Sequence, residues 1–183
     1  MCGIVGYIGK GDATSIGLDC LTRLEYRGYD SAGIAVLNSR GLEVRKRAGK
    51  IKELVGVIQR QPLHGHVAIL HSRWATHGLP SNANAHPHTD CARRIAIVHN
   101  GIIENYAELK TRLVAKGHRF RSQTDTETIV HLIEELAKRH PIREAFRLAL
   151  RELRGSYAVC LLCADAPDRL FGARNSSPLI VGL

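Results

Sequence analysis

Apolar residues recur along much of the chain at spacings of three and four, which place them on one face of an α-helix. Leu109 and Leu113 share such a face, and Ile129, Ile133 and Leu136 share another. This pattern predicts helices at residues 15–26, 50–59, 104–116, 125–139 and 141–153. The last of these begins at a proline, a residue that the first turn of a helix tolerates well.

Short apolar runs of strand length fill the intervals between these helices. They predict strands at residues 2–8, 33–37, 42–47, 66–71, 95–99, 156–163, 169–173 and 178–183, with a turn at 38–41. Short strands that come in groups, many of them linked as hairpins, favour an α+β layered fold with antiparallel sheets over a parallel doubly wound one.

Composition narrows the class of protein further. A chain of 183 residues suits one domain with a sizeable core. The net charge of +9 could indicate nucleic-acid binding, but the basic residues are scattered and only 5% of residues are aromatic, which argues against it. No apolar run reaches the roughly 18 residues of a membrane span, and the N-terminus does not resemble a secretory signal. We therefore expect a cytoplasmic protein that binds neither nucleic acid nor membrane.

The cysteines also favour a reducing compartment, because there are five of them, an odd and low number. Cys160 and Cys163 form a C-x-x-C pair, but they lie inside the apolar run AVCLLC and no second ligand pair has suitable spacing. We interpret these two as packed strand residues.

Cys2 is the most informative cysteine because of its position. Removal of Met1 would leave a residue that carries both a thiol and a free α-amine. An α-amine with a pKa of about 7.7–8.0 is substantially neutral near pH 7 and can accept the thiol proton, directly or through one water. The alternative is that Cys2 merely starts the first strand.

Two motifs that follow apolar strands offer groups for a substrate. In S-R-W-A-T-H-G at residues 72–78, Arg73 is a planar donor suited to a carboxylate, although a surface salt bridge is the alternative. In H-N-G at residues 99–101, the Asn100 amide and the Gly101 N–H could form an oxyanion hole, although an ordinary Asn-Gly turn is the alternative.

A third motif, T-D-T-E at residues 124–127, supplies Asp125. Its carboxylate could pair with a ligand's ammonium group or simply stabilise the start of the next helix, where Thr124 and Glu127 fit a capping box. Taken together, a thiolate, an oxyanion hole, a carboxylate partner and an ammonium partner fit a free amino acid with a side-chain amide. The products would be ammonia and, after hydrolysis of a thioester, glutamate.

Six ordered motifs resemble the class II glutamine amidotransferases, which are N-terminal nucleophile hydrolases. They are C-G-I-V-G-Y-I-G from residue 2, R-G-Y-D-S-A-G from 27, S-R-W-A-T-H-G from 72, N-A-H-P-H from 84, H-N-G-I-I-E-N from 99 and T-D-T-E from 124. The resemblance covers essentially the whole chain. It implies a four-layer αββα sandwich of two antiparallel sheets and a domain that spans residues 1–183.

The resemblance also implies roles for individual residues. Cys2 would be the nucleophile and, through its α-amine, the base, with Asn100 and Gly101 at the oxyanion. Trp74 is associated with gating the passage of ammonia. The remaining residues expected around glutamine are Arg73, Trp74, Thr76, His77, Asp125, Arg27 on a loop over Cys2, and His86 on a neighbouring loop. The family uses no cofactor and no metal.

Within the class, L-E-Y-R-G-Y-D-S-A-G at residues 24–33 is most similar to the glucosamine-6-phosphate synthases. That branch implies a longer homodimeric protein whose C-terminal sugar-isomerase domains, absent from this chain, use the ammonia to convert fructose 6-phosphate to glucosamine 6-phosphate. Two alternatives remain open: a glutaminase domain of the amidophosphoribosyltransferase type, and a catalytically inactive regulatory relative.

Overall fold

The computed structural model describes residues 2–74 and 78–182, apart from the side chain of Arg27. The helices are α1 (Ala13–Arg23), α2 (Ile51–Arg60), α3 (Tyr106–Ala115), α4 (Thr126–Ala137) and α5 (Ile142–Glu152), with a short 3-10 turn at Glu25–Arg27. The strands are β1 (Gly3–Ile8), β2 (Ser31–Asn38), β3 (Gly41–Ala48), β4 (Val67–Arg73), β5 (His88–Thr89), β6 (Ile95–Ile103), β7 (Gly155–Cys163) and β8 (Phe171–Asn175).

The strands form two antiparallel four-stranded sheets. The first has the order β1-β4-β2-β3 and the second the order β5-β6-β7-β8. In the first sheet, Asn38 pairs with Gly41, so the predicted turn joins β2 to β3. Strands β2 and β4 lie inside their sheet and are buried along almost their whole length. This burial explains the apolar runs at residues 34–37 of β2 and 67–70 of β4.

Three apolar clusters define four layers. One cluster lies between the sheets and includes Ile69 of β4 and Val98 of β6. A second joins α1 and α2 to the outer face of the first sheet, and a third joins α3, α4 and α5 to the outer face of the second. The predicted αββα sandwich is confirmed.

The two faces of β7 separate the C-x-x-C cysteines. Cys160 packs in the cluster between the sheets, whereas Cys163 packs against the helices of the second sheet. Residues an odd number of positions apart in a strand point to opposite faces. The interpretation of both as packed strand residues is confirmed.

Three local predictions were wrong. Strand β6 continues past His99 to Ile103, because Asn100 and Gly101 pair with β7 instead of forming a turn. Residues 178–182, predicted as a strand, pair with no neighbour. The capping box fails as well, since Glu127 accepts hydrogen bonds from the backbone N–H groups of Arg121 and Ser122, 2.7 Å each.

Within the described residues, no helix combines the length and the apolar character needed to cross a membrane.

Candidate active site

The candidate site lies where the inner faces of three strands change from apolar to polar. Along β4, Val67 and Ile69 pack between the sheets, and His71 and Arg73 continue the same face. On β6 the same inner face carries Ala96 and Val98 and then Asn100. On β1 it carries Ile4 and, two positions earlier, Cys2. Polar groups from both sheets therefore meet at one end of the sandwich.

A cleft of about 720 Å³ opens at this end. Its lining includes Cys2, His71, Arg73, Trp74, His86, Asn100, Gly101 and Asp125, and residues 177–180 contribute one wall.

Cys2 is half-buried beside the end of β4. The backbone N–H of Trp74 donates a hydrogen bond to Cys2 Sγ at 3.1 Å. Burial raises the pKa of the Cys2 thiol, and the Trp74 N–H opposes that rise only in part. The thiol is therefore protonated near neutral pH, and nucleophilic attack requires a base to take its proton.

A buried histidine orients the Asn100 amide towards Cys2. His71 Nε2 lies 2.8 Å from Asn100 Oδ1, so an N–H at Nε2 fixes the amide with Nδ2 on the other side. Asn100 Nδ2 donates to the carbonyl oxygen of Cys2 at 3.4 Å. Burial lowers the pKa of His71 to about 3, so this ring is neutral at physiological pH.

Three further buried side chains support this arrangement. The His86 ring stacks on His71 with 4.2 Å between centroids, and His86 Nδ1 accepts from the N–H of His99 at 3.3 Å. Burial, with smaller contributions from neighbouring histidines, holds the pKa of His86 well below its ordinary range. His99 Nδ1 lies 2.9 Å from Thr126 Oγ1, which connects β6 to α4.

Gly101 has a backbone conformation that L side chains rarely adopt, with φ of +125°. A Cβ atom at this position would lie 1.9 Å from the carbonyl oxygen of Ser156 on the paired strand β7. The close approach of the two strands next to Asn100 therefore requires glycine.

We predict that Gly101→Ala costs more stability than Gly41→Ala. Gly41 also has a positive φ of +104°, but a Cβ there would meet nothing within 4 Å. Its replacement should cost about 1 kcal/mol of backbone strain, and Gly101→Ala should exceed that by about 2 kcal/mol because the Ser156 carbonyl must move. Urea unfolding of both variants measures the difference, and equal costs would contradict the steric account.

Arg73 and Asp125 are both buried at the cleft. Arg73 Nη2 donates to the carbonyl of Gly78 at 3.0 Å, and Nη1 lies 3.7 Å from Asp30 Oδ1. The guanidinium is thus part of an interior ion pair, which excludes the surface salt bridge considered as the alternative. Asp125 Oδ2 accepts from the N–H of Ile103 at 2.8 Å, and its side chain makes no capping bond to α4.

The other predicted site residues differ in how far the structure describes them. Trp74 is half-exposed at the rim, and its ring packs over Gly28. Arg27 lies in the 3-10 turn that precedes Gly28, but its side chain is outside the described part of the chain. Thr76 and His77 lie wholly outside the described residues.

Comparison with known proteins decides the family. The profile of a family described as glutamine amidotransferase domain matches residues 71–182, more than half of the chain. The chain belongs to this family. The predicted class is thereby confirmed.

Curated relatives of this glutamine amidotransferase domain carry one recurring name. The chain is 55% identical over its whole length to glutamine–fructose-6-phosphate aminotransferase (isomerizing) of Pyrococcus horikoshii, and 56% identical to that of Thermus thermophilus. It spans 31% and 30% of those two proteins, so each is about three times as long as this chain.

Solved structures place the domain in the same fold. Glutamine phosphoribosylpyrophosphate amidotransferase from B. subtilis matches 90% of the chain and 35% of its own length, with 28% identity and a TM-score of 0.77. A glutamine aminotransferase class-II domain protein from Silicibacter pomeroyi, at 17% identity and a TM-score of 0.58, shares the fold.

The cleft thus brings together most of the residues predicted for the site, from both sheets. The sequence assigned no role in the site to His71, His99 or Thr126, although His99 and Thr126 lie inside two of the motifs. Their role in the structure is to bind other side chains of the site, His71 with Asn100 and His99 with Thr126. The alternation of inner-face positions along β4 could have indicated His71, since it lies two positions from Ile69 and from Arg73.

Proposed function

We propose that this domain hydrolyses L-glutamine to L-glutamate and ammonia through a thioester on Cys2. The observation that carries the proposal is that the thiol of Cys2 lies in one cleft with an oriented amide, Asn100, and two buried charged groups, Arg73 and Asp125. A free amino acid with a side-chain carboxamide is complementary to this set.

The first half of the reaction needs the α-amine of Cys2, which removal of Met1 would expose. The amine takes the thiol proton, and the sulfur attacks the carboxamide carbon of glutamine. Asn100 Nδ2 and the Gly101 N–H stabilise the oxyanion that forms. When the oxyanion collapses, the C–N bond breaks, the leaving nitrogen takes the proton held by the α-amine, and ammonia departs.

The second half regenerates the enzyme. The α-amine takes a proton from water, and the resulting hydroxide attacks the thioester carbon. The same oxyanion site stabilises the second tetrahedral intermediate. Breaking of the C–S bond releases glutamate, and the proton returns to the sulfur.

Recognition of the amino-acid end falls to Arg73 and Asp125. Arg73 pairs with the α-carboxylate and Asp125 with the α-ammonium group, both in a buried setting where charge-assisted hydrogen bonds are strong. Trp74, Thr76, His77, Arg27 and His86 complete the glutamine site in this proposal, and Trp74 gates the passage of ammonia.

Asp125→Asn is expected to raise the KM for glutamine about 30-fold, with a smaller effect on kcat. Asparagine retains an oxygen that can accept from the Ile103 N–H, so the strand contact survives while the charge opposite the substrate ammonium is lost. Loss of one partner of a buried charge pair costs about 2 kcal/mol or more. Steady-state kinetics with glutamine measures the change.

Asp165→Asn is the matched control, because that carboxylate is exposed and pairs with Arg94 away from the cleft. It should leave KM unchanged. A KM for Asp125→Asn within threefold of the parent would remove Asp125 from the proposed ammonium site.

For the whole protein, we propose that the ammonia converts fructose 6-phosphate to glucosamine 6-phosphate on C-terminal sugar-isomerase domains of a cytoplasmic homodimer. The identity of 55% to the Pyrococcus aminotransferase, against 28% to the B. subtilis amidophosphoribosyltransferase, favours this acceptor over a pentose phosphate.

The proposal is tested by incubating this chain with glutamine and fructose 6-phosphate. We expect glutamate and free ammonia at equal rates, with asparagine as the control substrate giving little aspartate, and no glucosamine 6-phosphate. Absence of glutamate from a chain whose mass shows that Met1 has been removed would support the inactive regulatory relative instead. Amination of the sugar by this chain alone would overturn the assignment of that step to other domains.

A further inference from the structure

Four potential metal ligands converge at the edge of the second sheet, away from the cleft. They are Cys91 just after β5, His118 between α3 and α4, and His131 and Glu134 one turn apart on α4. Their ligand atoms all lie within 4.8 Å of one another. None of the four lines the cleft that contains Cys2.

The distances between these atoms are close to those around a tetrahedral zinc ion. Cys91 Sγ lies 3.8 Å from His131 Nδ1 and 4.0 Å from His118 Nδ1. Glu134 Oε2 lies 2.9 and 2.8 Å from the same two nitrogens. With Zn–S near 2.3 Å and Zn–N near 2.05 Å, tetrahedral geometry separates sulfur from nitrogen by about 3.6 Å and nitrogen from oxygen by about 3.3 Å. These four separations therefore lie within about half an ångström of that geometry. The two remaining separations, between the two nitrogens and between sulfur and oxygen, are within 4.8 Å.

His118 also has the outer partner that metal-bound imidazoles use, because its Nε2, on the far side of the ring, lies 3.1 Å from Glu135 Oε2. For His131 the corresponding carboxylate is near but not hydrogen-bonded, since Nε2 lies 3.7 Å from Glu127 Oε1. A carboxylate behind the imidazole orients the ring and increases the basicity of the nitrogen that faces the metal.

The cysteine has matching support from the backbone. The N–H of Arg119 donates to Cys91 Sγ at 3.4 Å, and the N–H of Cys91 donates to Glu134 Oε1 at 3.1 Å. In the metal-free chain burial and the nearby Glu134 raise the pKa of the Cys91 thiol, and the Arg119 N–H opposes this rise only in part. Pairing of histidine with glutamate alone would explain the short N–O distances, but it leaves unexplained why a cysteine sulfur faces both Nδ1 atoms.

We propose that Cys91, His118, His131 and Glu134 bind one Zn²⁺ ion in a closed structural site. One thiolate and one carboxylate neutralise the charge of the ion, and two neutral imidazoles complete four ligands of the types that zinc prefers. Binding displaces the proton of the thiol and any proton shared between the imidazoles and Glu134. The ion takes no part in the reaction at Cys2. The proposal therefore departs from the expectation that this chain binds no metal, but it leaves the proposed metal-free catalysis unchanged.

Such an ion would connect three segments, namely the loop after β5, the loop between α3 and α4, and α4 itself. It would also stabilise the loop beside the cleft. Glu127, behind His131, also accepts from the N–H groups of Arg121 and Ser122 and from the Ser122 hydroxyl, 2.7 Å each. These bonds fix the loop that leads into Asp125. The zinc site therefore stabilises the fold directly and the shape of the glutamine site indirectly. The proposal of a zinc site does not depend on the reaction proposed at Cys2.

The test uses the whole chain in a Cys2→Ala background, because a terminal aminothiol itself chelates zinc. The protein is stripped with a chelator, mixed with equimolar Co²⁺ or Zn²⁺ and desalted. We expect one metal ion per chain, tetrahedral cobalt absorption bands together with a thiolate-to-cobalt charge-transfer band, and a higher Tm that a chelator reverses.

Cys91→Ser should lose the charge-transfer band and weaken zinc binding about tenfold or more. Cys20→Ser and His140→Gln, which alter exposed residues outside the cluster, should bind metal as the parent does. Absence of the thiolate–cobalt band from the parent chain would overturn the proposal, whether or not the variants fold. The proposal would also be overturned if Cys91→Ser is folded, as measured by circular dichroism, and still shows the band.

Discussion

Cys2→Ala is expected to abolish the release of glutamate while leaving glutamine binding measurable. No other cysteine among the described residues lines the cleft, and the proposed thioester cannot form without the sulfur. The methyl group that remains leaves the proposed binding contacts of Arg73 and Asp125 intact. Residual turnover should fall below about 10⁻³ of the parent rate, because loss of the nucleophile of a hydrolase can cost about 10⁶-fold in kcat.

The measurement pairs glutamate production with calorimetric binding of glutamine. Cys20→Ser is the control, since that cysteine is exposed on α1, and it should keep the parent rate. Turnover by Cys2→Ala within tenfold of the parent would overturn the assignment of Cys2 as nucleophile.

A second arm separates the thiol from the α-amine. Insertion of alanine between Met1 and Cys2 leaves the thiol present, but processing then gives an N-terminal alanine and converts the Cys2 nitrogen to an amide. Because burial raises the pKa of the Cys2 thiol, loss of the nearby base should leave the sulfur protonated and nearly inactive. Activity of the extended chain close to the parent's would show that another group accepts the proton.

The period of apolar residues predicted an α+β layered fold with antiparallel sheets, whereas the four αββα layers were implied by the family resemblance. The same period placed strand ends poorly. Strand β6 runs four residues past its predicted end because pairing with β7 overrides the low strand propensity of Asn100 and Gly101. The apolar run at residues 178–183 predicts a strand, yet Pro178, Leu179 and Ile180 line the cleft without a paired neighbour. Hydrophobicity alone does not distinguish an extended segment that pairs in a sheet from one that lines a cleft without pairing.

The chemical types of the site residues could be inferred from short motifs, whereas their orientation depends on contacts between distant segments. His71 and Asn100 are 29 positions apart and come from different sheets, so only the stacking of the sheets brings Nε2 to the amide oxygen. The same holds for Cys91 and His131, 40 positions apart, whose spacing matches no recognised zinc motif.

Asn100→Ala is the second variant with a large expected effect, and it should lower kcat about 10²- to 10³-fold. Loss of one oxyanion donor has a cost of that size because the donor acts mainly when charge develops on the substrate oxygen. His71 holds the Asn100 amide oxygen at 2.8 Å, so Nδ2 is already directed towards Cys2 before substrate binds. The KM for glutamine should therefore change only a few-fold, which distinguishes this variant from Asp125→Asn.

Asn105→Ala is the matched control, because that side chain also bonds backbone groups, Glu152 O at 2.9 Å and Arg154 N at 3.0 Å, but lies outside the cleft. It should lower the free energy of unfolding and leave kcat close to the parent value. Single-turnover formation of the thioester isolates the chemical step. If Asn100→Ala forms the thioester within tenfold of the parent rate, the oxyanion donors must be sought elsewhere in the cleft, and the fixed orientation that His71 gives the amide would be a feature of the fold only.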